Sequence, residues 1–134
     1  MVPLLVVLAL TGCTFSTAPN GPFADLRGTW TFTGQQTAPA LQLSGTLVVG
    51  SQQGDLVSGQ LSFEEHDGVG TTLRAGPITG RAIDTTDVDF DLLLSNGERR
   101  HIGRISSNQD TLQGLWVQMA TGTEGVFLAI RTAP

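Results

Sequence analysis

The side chains that could do chemistry in this sequence fall in a few places. The run Glu64-Glu65-His66-Asp67 sets three carboxylates beside one imidazole. A turn could converge that donor set on a divalent cation. An extended backbone instead sends adjacent side chains to opposite faces, so the run reads as a solvated polar loop. Asp87-Val88-Asp89-Phe90-Asp91 has the spacing with which a calcium loop opens. Such a loop needs Gly at its sixth position, and Leu92 stands there. His101 follows Arg99 and Arg100, whose charge opposes cation binding, and reads as a surface or barrel-mouth residue. Ser44 and Ser58 precede glycines, but there is no Gly-x-Ser-x-Gly elbow, phosphate loop or dinucleotide fingerprint. The expectation is a protein that is not an enzyme, with no catalytic residues, cofactor or metal. Cys13 is the single cysteine, which excludes an intramolecular disulfide and any multi-cysteine metal site.

The position of Cys13 carries a signal of its own. Residues Val2 to Leu10 are apolar, with Pro3 among them. The run is too short to span a bilayer, which takes about 20 residues, but it suits a secretory h-region of about 7–15. It ends in Leu10-Thr11-Gly12-Cys13, which resembles the bacterial lipobox: an aliphatic residue, two small residues, then the cysteine whose thiol takes the diacylglycerol. The resemblance implies a signal peptide over 1–12 and lipidation at Cys13. One feature departs from it: no Lys or Arg precedes the apolar run, where a leader normally has a positive n-region. Residues 13–25 mix Pro, Gly, Asn, Ser and Thr, a tether composition. Thr14, rather than Asp, after the cysteine resembles outer-membrane sorting. The expected location is the cell envelope, on the periplasmic face of the outer membrane if the host has two membranes.

A single β-domain over 26–134 is expected to follow. The chain has 134 residues and a formal net charge of −5, and all seven basic side chains are Arg. An acidic surface repels phosphate backbones, which excludes nucleic acid as a partner. No basic stripe is present to hold an anionic bilayer. Charged residues make up 14%, too few for a highly charged disordered chain.

Beyond the leader, short alternating stretches separated by turn residues dominate. In Thr86–Leu94, Val88, Phe90, Leu92 and Leu94 share one face, and Asp87, Asp89 and Asp91 the other. That is a half-buried strand. Asn96-Gly97 is a strong hairpin signal, because both residues tolerate positive φ. Arg100–Ser106 then returns, so Arg100 and Arg104 can pair with the aspartates across the hairpin. Further strands are expected over Thr29–Gly34, Leu41–Val49, Leu56–Glu64, Thr72–Ile83 (interrupted near Pro77), Leu112–Met119 and Gly125–Arg131. Eight strands with short links predict an all-β, antiparallel up-and-down meander.

A small unit recurs within these strands: Leu43-Ser44-Gly45, Val57-Ser58-Gly59, Ile78-Thr79-Gly80, Leu112-Gln113-Gly114 and, more weakly, Ile102-Gly103. Glycine in a strand interior weakens it unless the sheet bends sharply there. The pattern therefore favours closure into a small barrel, with a β-sandwich as the alternative.

Gly28-Thr29-Trp30 opens the first strand and resembles the Gly-x-Trp start of lipocalin-like and avidin-like barrels. The resemblance implies that Trp30 plugs the barrel floor and that Arg131, at the end of the last strand, covers its ring as a barrel-closing pair. The lipocalin C-terminal helix and disulfide are missing. With Trp30 and Trp116 alone and no Tyr, an avidin-type biotin pocket is not implied.

The leading expectation is a membrane-anchored, non-catalytic binding module for a small apolar ligand or a protein partner. The alternatives are a periplasmic protease or lysozyme inhibitor, which this architecture resembles, and a structural envelope lipoprotein. The inward candidates Leu41, Leu43, Leu47, Phe63, Val88, Phe90, Leu92, Leu94 and Trp116 are bulky, which favours a packed interior over a large cavity.

Overall fold

The computed structural model describes residues 22–133. The eight strands are β1 (Gly28–Gln36), β2 (Leu41–Gln53), β3 (Leu56–His66), β4 (Thr71–Ala82), β5 (Asp87–Leu94), β6 (Gly97–Ile105), β7 (Thr111–Gln118) and β8 (Glu124–Ala133). Each pairs antiparallel with the next, and β8 pairs with β1, so the meander closes into a barrel. The sandwich alternative is excluded. Signal peptide, lipobox and Cys13 lie outside the described residues.

Alternation decides what lies inside. Trp30, Phe32, Leu47, Leu61, Ile78, Val88, Leu92 and Trp116 are fully buried. Polar side chains occupy most outward positions, interrupted by Val48, Leu56, Leu73, Leu93, Ile102, Leu115, Val126 and Ile130. An apolar interior behind a largely polar wall is the reverse of a barrel that spans lipid. Of the bulky inward candidates, only Leu41 is partly rather than fully buried.

The five repeated glycines all face the lumen, where the neighbouring strand comes too close for a side chain. A Cβ at Gly45, Gly59, Gly80 or Gly114 would stand 1.9–2.2 Å from a backbone oxygen of the adjacent strand, and one at Gly103 would stand 2.7 Å away. Gly76 and Gly125 make the same approach, at 2.0 and 2.1 Å. These are the bends that let the sheet curl closed.

Several boundaries differ from the sequence reading. β2 continues to Gln53, because a bulge between Val49 and Ser51 restores the pairing to β3. β4 runs unbroken through Pro77, which pairs with Gln60. β6 begins at Gly97 rather than Arg100, directly after a tight turn in which only Gly97 takes positive φ, at 122°. His66 is the last residue of β3, not part of a loop. Arg100–Asp91 at 3.0 Å and Arg104–Asp87 at 3.2 Å are ion pairs across the β5–β6 hairpin. Being exposed, each contributes about 0–1 kcal/mol.

The two ends of the barrel differ. One holds the links 54–55, 83–86 and 106–110 together with the lead-in to β1, and it is shut. Ala24 N donates to Asp84 O (3.0 Å), and Gln52 clamps the lead-in by donating to Ala24 O (2.7 Å) and accepting from Leu26 N (2.8 Å). Residues 23–25, placed in the tether by composition, are thus fastened across this floor. A side-chain amide captures their backbone from a distant strand, a contact that local sequence cannot display.

Candidate functional site opposite the closed floor

Trp30 and Arg131 meet at the closed end. The Trp30 indole is fully buried, and its Nε1 donates to Leu26 O at 3.0 Å. The Arg131 guanidinium lies 4.3 Å from the centre of the Trp30 ring. Its nitrogens donate to the carbonyls of Asp25 (2.6 Å), Gln109 (2.9 Å) and Arg27. One cation therefore ties the lead-in, the β6–β7 link and β8 together over the indole. The indole nitrogen and all three guanidinium nitrogens have partners, so this end is a structural clasp.

The middle of the lumen is occupied by rings. Phe32 stacks on Phe127 (5.8 Å between centroids) and tilts against Phe63 (6.0 Å), and Phe90 stacks on His101 at 4.4 Å. His101 is fully buried, which corrects its reading as a surface or mouth residue. Arg100 and Arg104 face out to their aspartates, so strand alternation turns Arg99 and His101 inward. Burial, and then the nearby Arg99 charge, push the His101 pKa down to about 3, against weaker upward pulls from backbone carbonyls of Arg99 and Phe90 and from Asp91. The ring is therefore neutral at physiological pH. A group with a depressed folded pKa favours folding only above its unfolded value. Stability from neutral His101 is complete above about pH 6.5 and drains as pH falls towards 3, at up to about 1.4 kcal/mol per pH unit. Replacing the imidazole with a phenyl ring, His101→Phe, keeps the stack on Phe90. Urea midpoints measured across that window are expected to fall less steeply for the variant than for the wild type, and parallel slopes would refute the assignment.

The other end carries a buried polar cluster that the sequence reading missed. Glu65 accepts from Arg99 Nη2 at 2.6 Å and from Arg74 Nε at 2.9 Å. Arg99 Nε donates to Gln118 Oε1 at 2.6 Å, and Gln118 Nε2 donates to Asn96 O at 3.3 Å. The Arg99 guanidinium sits between two rings, 4.6 Å from the Trp116 centroid and 5.4 Å from that of Phe63. Burial raises the Glu65 pKa, but the hydrogen bonds from Arg99 and Arg74 outweigh it and hold the carboxyl below its ordinary value. Glu65, Arg99 and Gln118 are all buried; Arg74 is half-buried and outermost.

Three buried polar atoms near this cluster find no hydrogen-bond partner among the described residues: Arg99 Nη1, Trp116 Nε1 and His101 Nδ1. They lie on adjacent strands, where His101 on β6 pairs with Trp116 on β7 and Arg99, two residues before His101, pairs with Gln118. Unsatisfied groups of this kind are rare in folded proteins, and each calls for a physical account. The signal was available in the sequence. Leu61, Phe63 and Glu65 share a face, as do Trp116 and Gln118, and extending the β6 alternation back two residues from His101 places Arg99 inside.

The Glu64-Glu65-His66-Asp67 run is dispersed by alternation. Glu65 points in, while His66 lies outside, 3.5 Å from Glu64 and within hydrogen-bond reach of Thr71. Asp67 caps its own turn by accepting from the backbone of Val69 and Gly70. Asp87, Asp89 and Asp91 lie along β5, not in a loop.

No family model and no curated protein matches the chain. Among solved structures it is similar to a de novo designed fluorescence-activating β-barrel, with a TM-score of 0.62 and 17% identity over 79% of this chain and 93% of that one. It is also similar to EF1p2_mFAP2b bound to DFHBI, with a TM-score of 0.61 and 13% identity over 79% and 92%. At these identities the likeness establishes the small eight-stranded barrel and nothing finer.

Proposed function

We propose that this protein is a non-catalytic binding barrel, lipid-anchored to the cell envelope through Cys13, that holds a small ligand at the end of its lumen opposite the Trp30–Arg131 clasp. The observation that carries the binding reading is the set of buried, unpartnered polar atoms on Arg99, Trp116 and His101. A ligand site of this kind combines an apolar lining with a few convergent polar groups. Here the apolar rings of Phe63 and Trp116 flank the Arg99 guanidinium. The ring-filled middle of the lumen limits the ligand to the outer layer, so a long apolar molecule threaded down the axis does not fit. Of the two similar barrels, one is described as fluorescence-activating and the other as bound to DFHBI, which accords with this use of the fold.

An inhibitor would present a projecting loop. The links at the end opposite the floor, 37–40, 67–70, 95–96 and 119–123, are short, which favours the ligand reading.

Two measurements test the proposal. A thermal-shift screen of the full chain against small ring-bearing metabolites is expected to give at least one concentration-dependent rise in Tm, as binding to the folded state requires. A flat screen counts against binding. Cys13→Ala expressed in a lipoprotein-processing host is expected to lack the diacylglycerol mass and to remain uncleaved. Normal processing of that variant would remove the anchor.

A further inference from the structure

Charge is distributed unevenly around the barrel wall. β7, β1 and β2 contain no ionisable side chain, and β8 has two: Glu124 at its start and Arg131, which is laid over Trp30. Closure makes these four strands neighbours. β5 and β6, by contrast, present an outward face of aspartates and arginines.

The uncharged half also gathers exposed apolar residues into one group. Leu115 stands beside Ile102 on one side and Val126 on the other, and all three are 49–58% exposed. Along β8, Leu128 and Ile130 continue the outward face, so Val126–Ile130 is apolar on both sides of the sheet. A strand that is apolar on both faces is the pattern of one covered on both. On β3 to β5 the exposed apolar residues face charges instead: Leu56 pairs with Arg81, Leu73 with Glu64 and Leu93 with Glu98.

What covers the β8 face must itself be uncharged and largely apolar, since an ion buried there would lack a partner. A bilayer is a poor match, because lipid-facing surfaces anchor through basic and aromatic side chains, and the exposed residues of these four strands include neither. A second copy of the chain meets the requirement. The net charge of −5 opposes self-association over most of the surface. Two copies that bring this half of the wall together keep their acidic faces apart. The size is adequate as well. Four strands about 4.8 Å apart, with β8 ten residues long, span about 600 Å², the share per partner of the smaller specific interfaces. From this we infer that the barrel pairs with a second copy of itself through the outer wall of β7, β8, β1 and β2, with Val126 and Leu128 near the centre of an isologous contact.

Sedimentation velocity of the full chain tests the inference, with a thiol reductant present to exclude a Cys13 disulfide. Dimer is expected to grow in over micromolar concentrations. Val126→Asp sets like charges across the contact and should raise the dimer Kd about 10-fold or more. Val126→Thr keeps a β-branched side chain suited to a strand and should weaken the dimer in the same direction. Leu73→Asp makes the charge change on β4, across the barrel, and should leave the Kd unaltered. A dimer that Val126→Asp leaves intact, or that both aspartate variants weaken alike, overturns the inference. So does a monomer at every concentration, whether amide exchange then shows the face covered by residues 2–10 of the same chain or the protein sediments with phosphatidylcholine vesicles.

Discussion

Glu65→Gln is expected to destabilise the barrel by about 3 kcal/mol or more, read as a lower urea midpoint at unchanged slope. The glutamine is nearly isosteric, so the loss is electrostatic. Arg99 keeps Gln118 and its two rings but loses the carboxylate 2.6 Å from Nη2, and becomes a buried cation without a counter-charge. Arg74, being half-buried, can turn to water. The double variant Glu65→Leu/Arg99→Met is expected to recover much of the loss, because removing both partners leaves no uncompensated charge. Acid sensitivity supplies a second readout. The folded-state pKa of Glu65 lies below the unfolded value. Its contribution is therefore present above about pH 4.5 and disappears as pH falls through the folded value. The Gln variant should lose that component of acid unfolding. A midpoint and pH profile equal to wild type would show that the cluster contributes nothing to the fold.

Trp30→Ala should cost about 3–5 kcal/mol, the range for emptying a large aromatic site. Three losses combine: the most buried volume at the floor, the Nε1 bond to Leu26 O, and the platform under Arg131. The cation–π share is about 0.5–2 kcal/mol. Trp30→Phe separates them, because it keeps a ring under the guanidinium and loses the hydrogen bond, for a smaller cost of about 1 kcal/mol. Hydrogen exchange at the amides of Ala24 and Leu26 reports the mechanism. Both are expected to exchange faster in Trp30→Ala as the floor loosens, and unchanged protection there would separate the indole from the fastening of the lead-in.

The architecture is legible because it is written in local chemistry. Eight alternating runs, each closed by turn residues, name eight strands, and short links leave a meander as the simplest path. The repeated lumen-facing glycines announce the curvature, and the structure gives their reason, since a neighbouring backbone oxygen occupies the space of each missing Cβ. The hairpin ion pairs of Arg100 and Arg104 follow from the aspartate face of β5.

The polar cluster is easily overlooked in a linear reading, for a specific reason. Arg99, Arg100 and His101 are consecutive, and three polar residues in a row look like surface. The pairing of Arg100 with Asp91 follows from the aspartate face, and alternation then turns Arg99 and His101 inward, but which lumen groups they meet there is set by closure. Glu65 sits among acidic neighbours that suggest a loop, although its alternation belongs with Leu61 and Phe63. The lead-in is hidden in the same way, since nothing in residues 23–25 discloses that Gln52 and Asp84 will hold them. Strand count, facing and curvature are properties of the linear chain, because they depend on residue type and on a period of two along it. Which polar groups share the lumen, and which donors are left unpartnered, emerges with closure alone, because both depend on which strands it brings face to face.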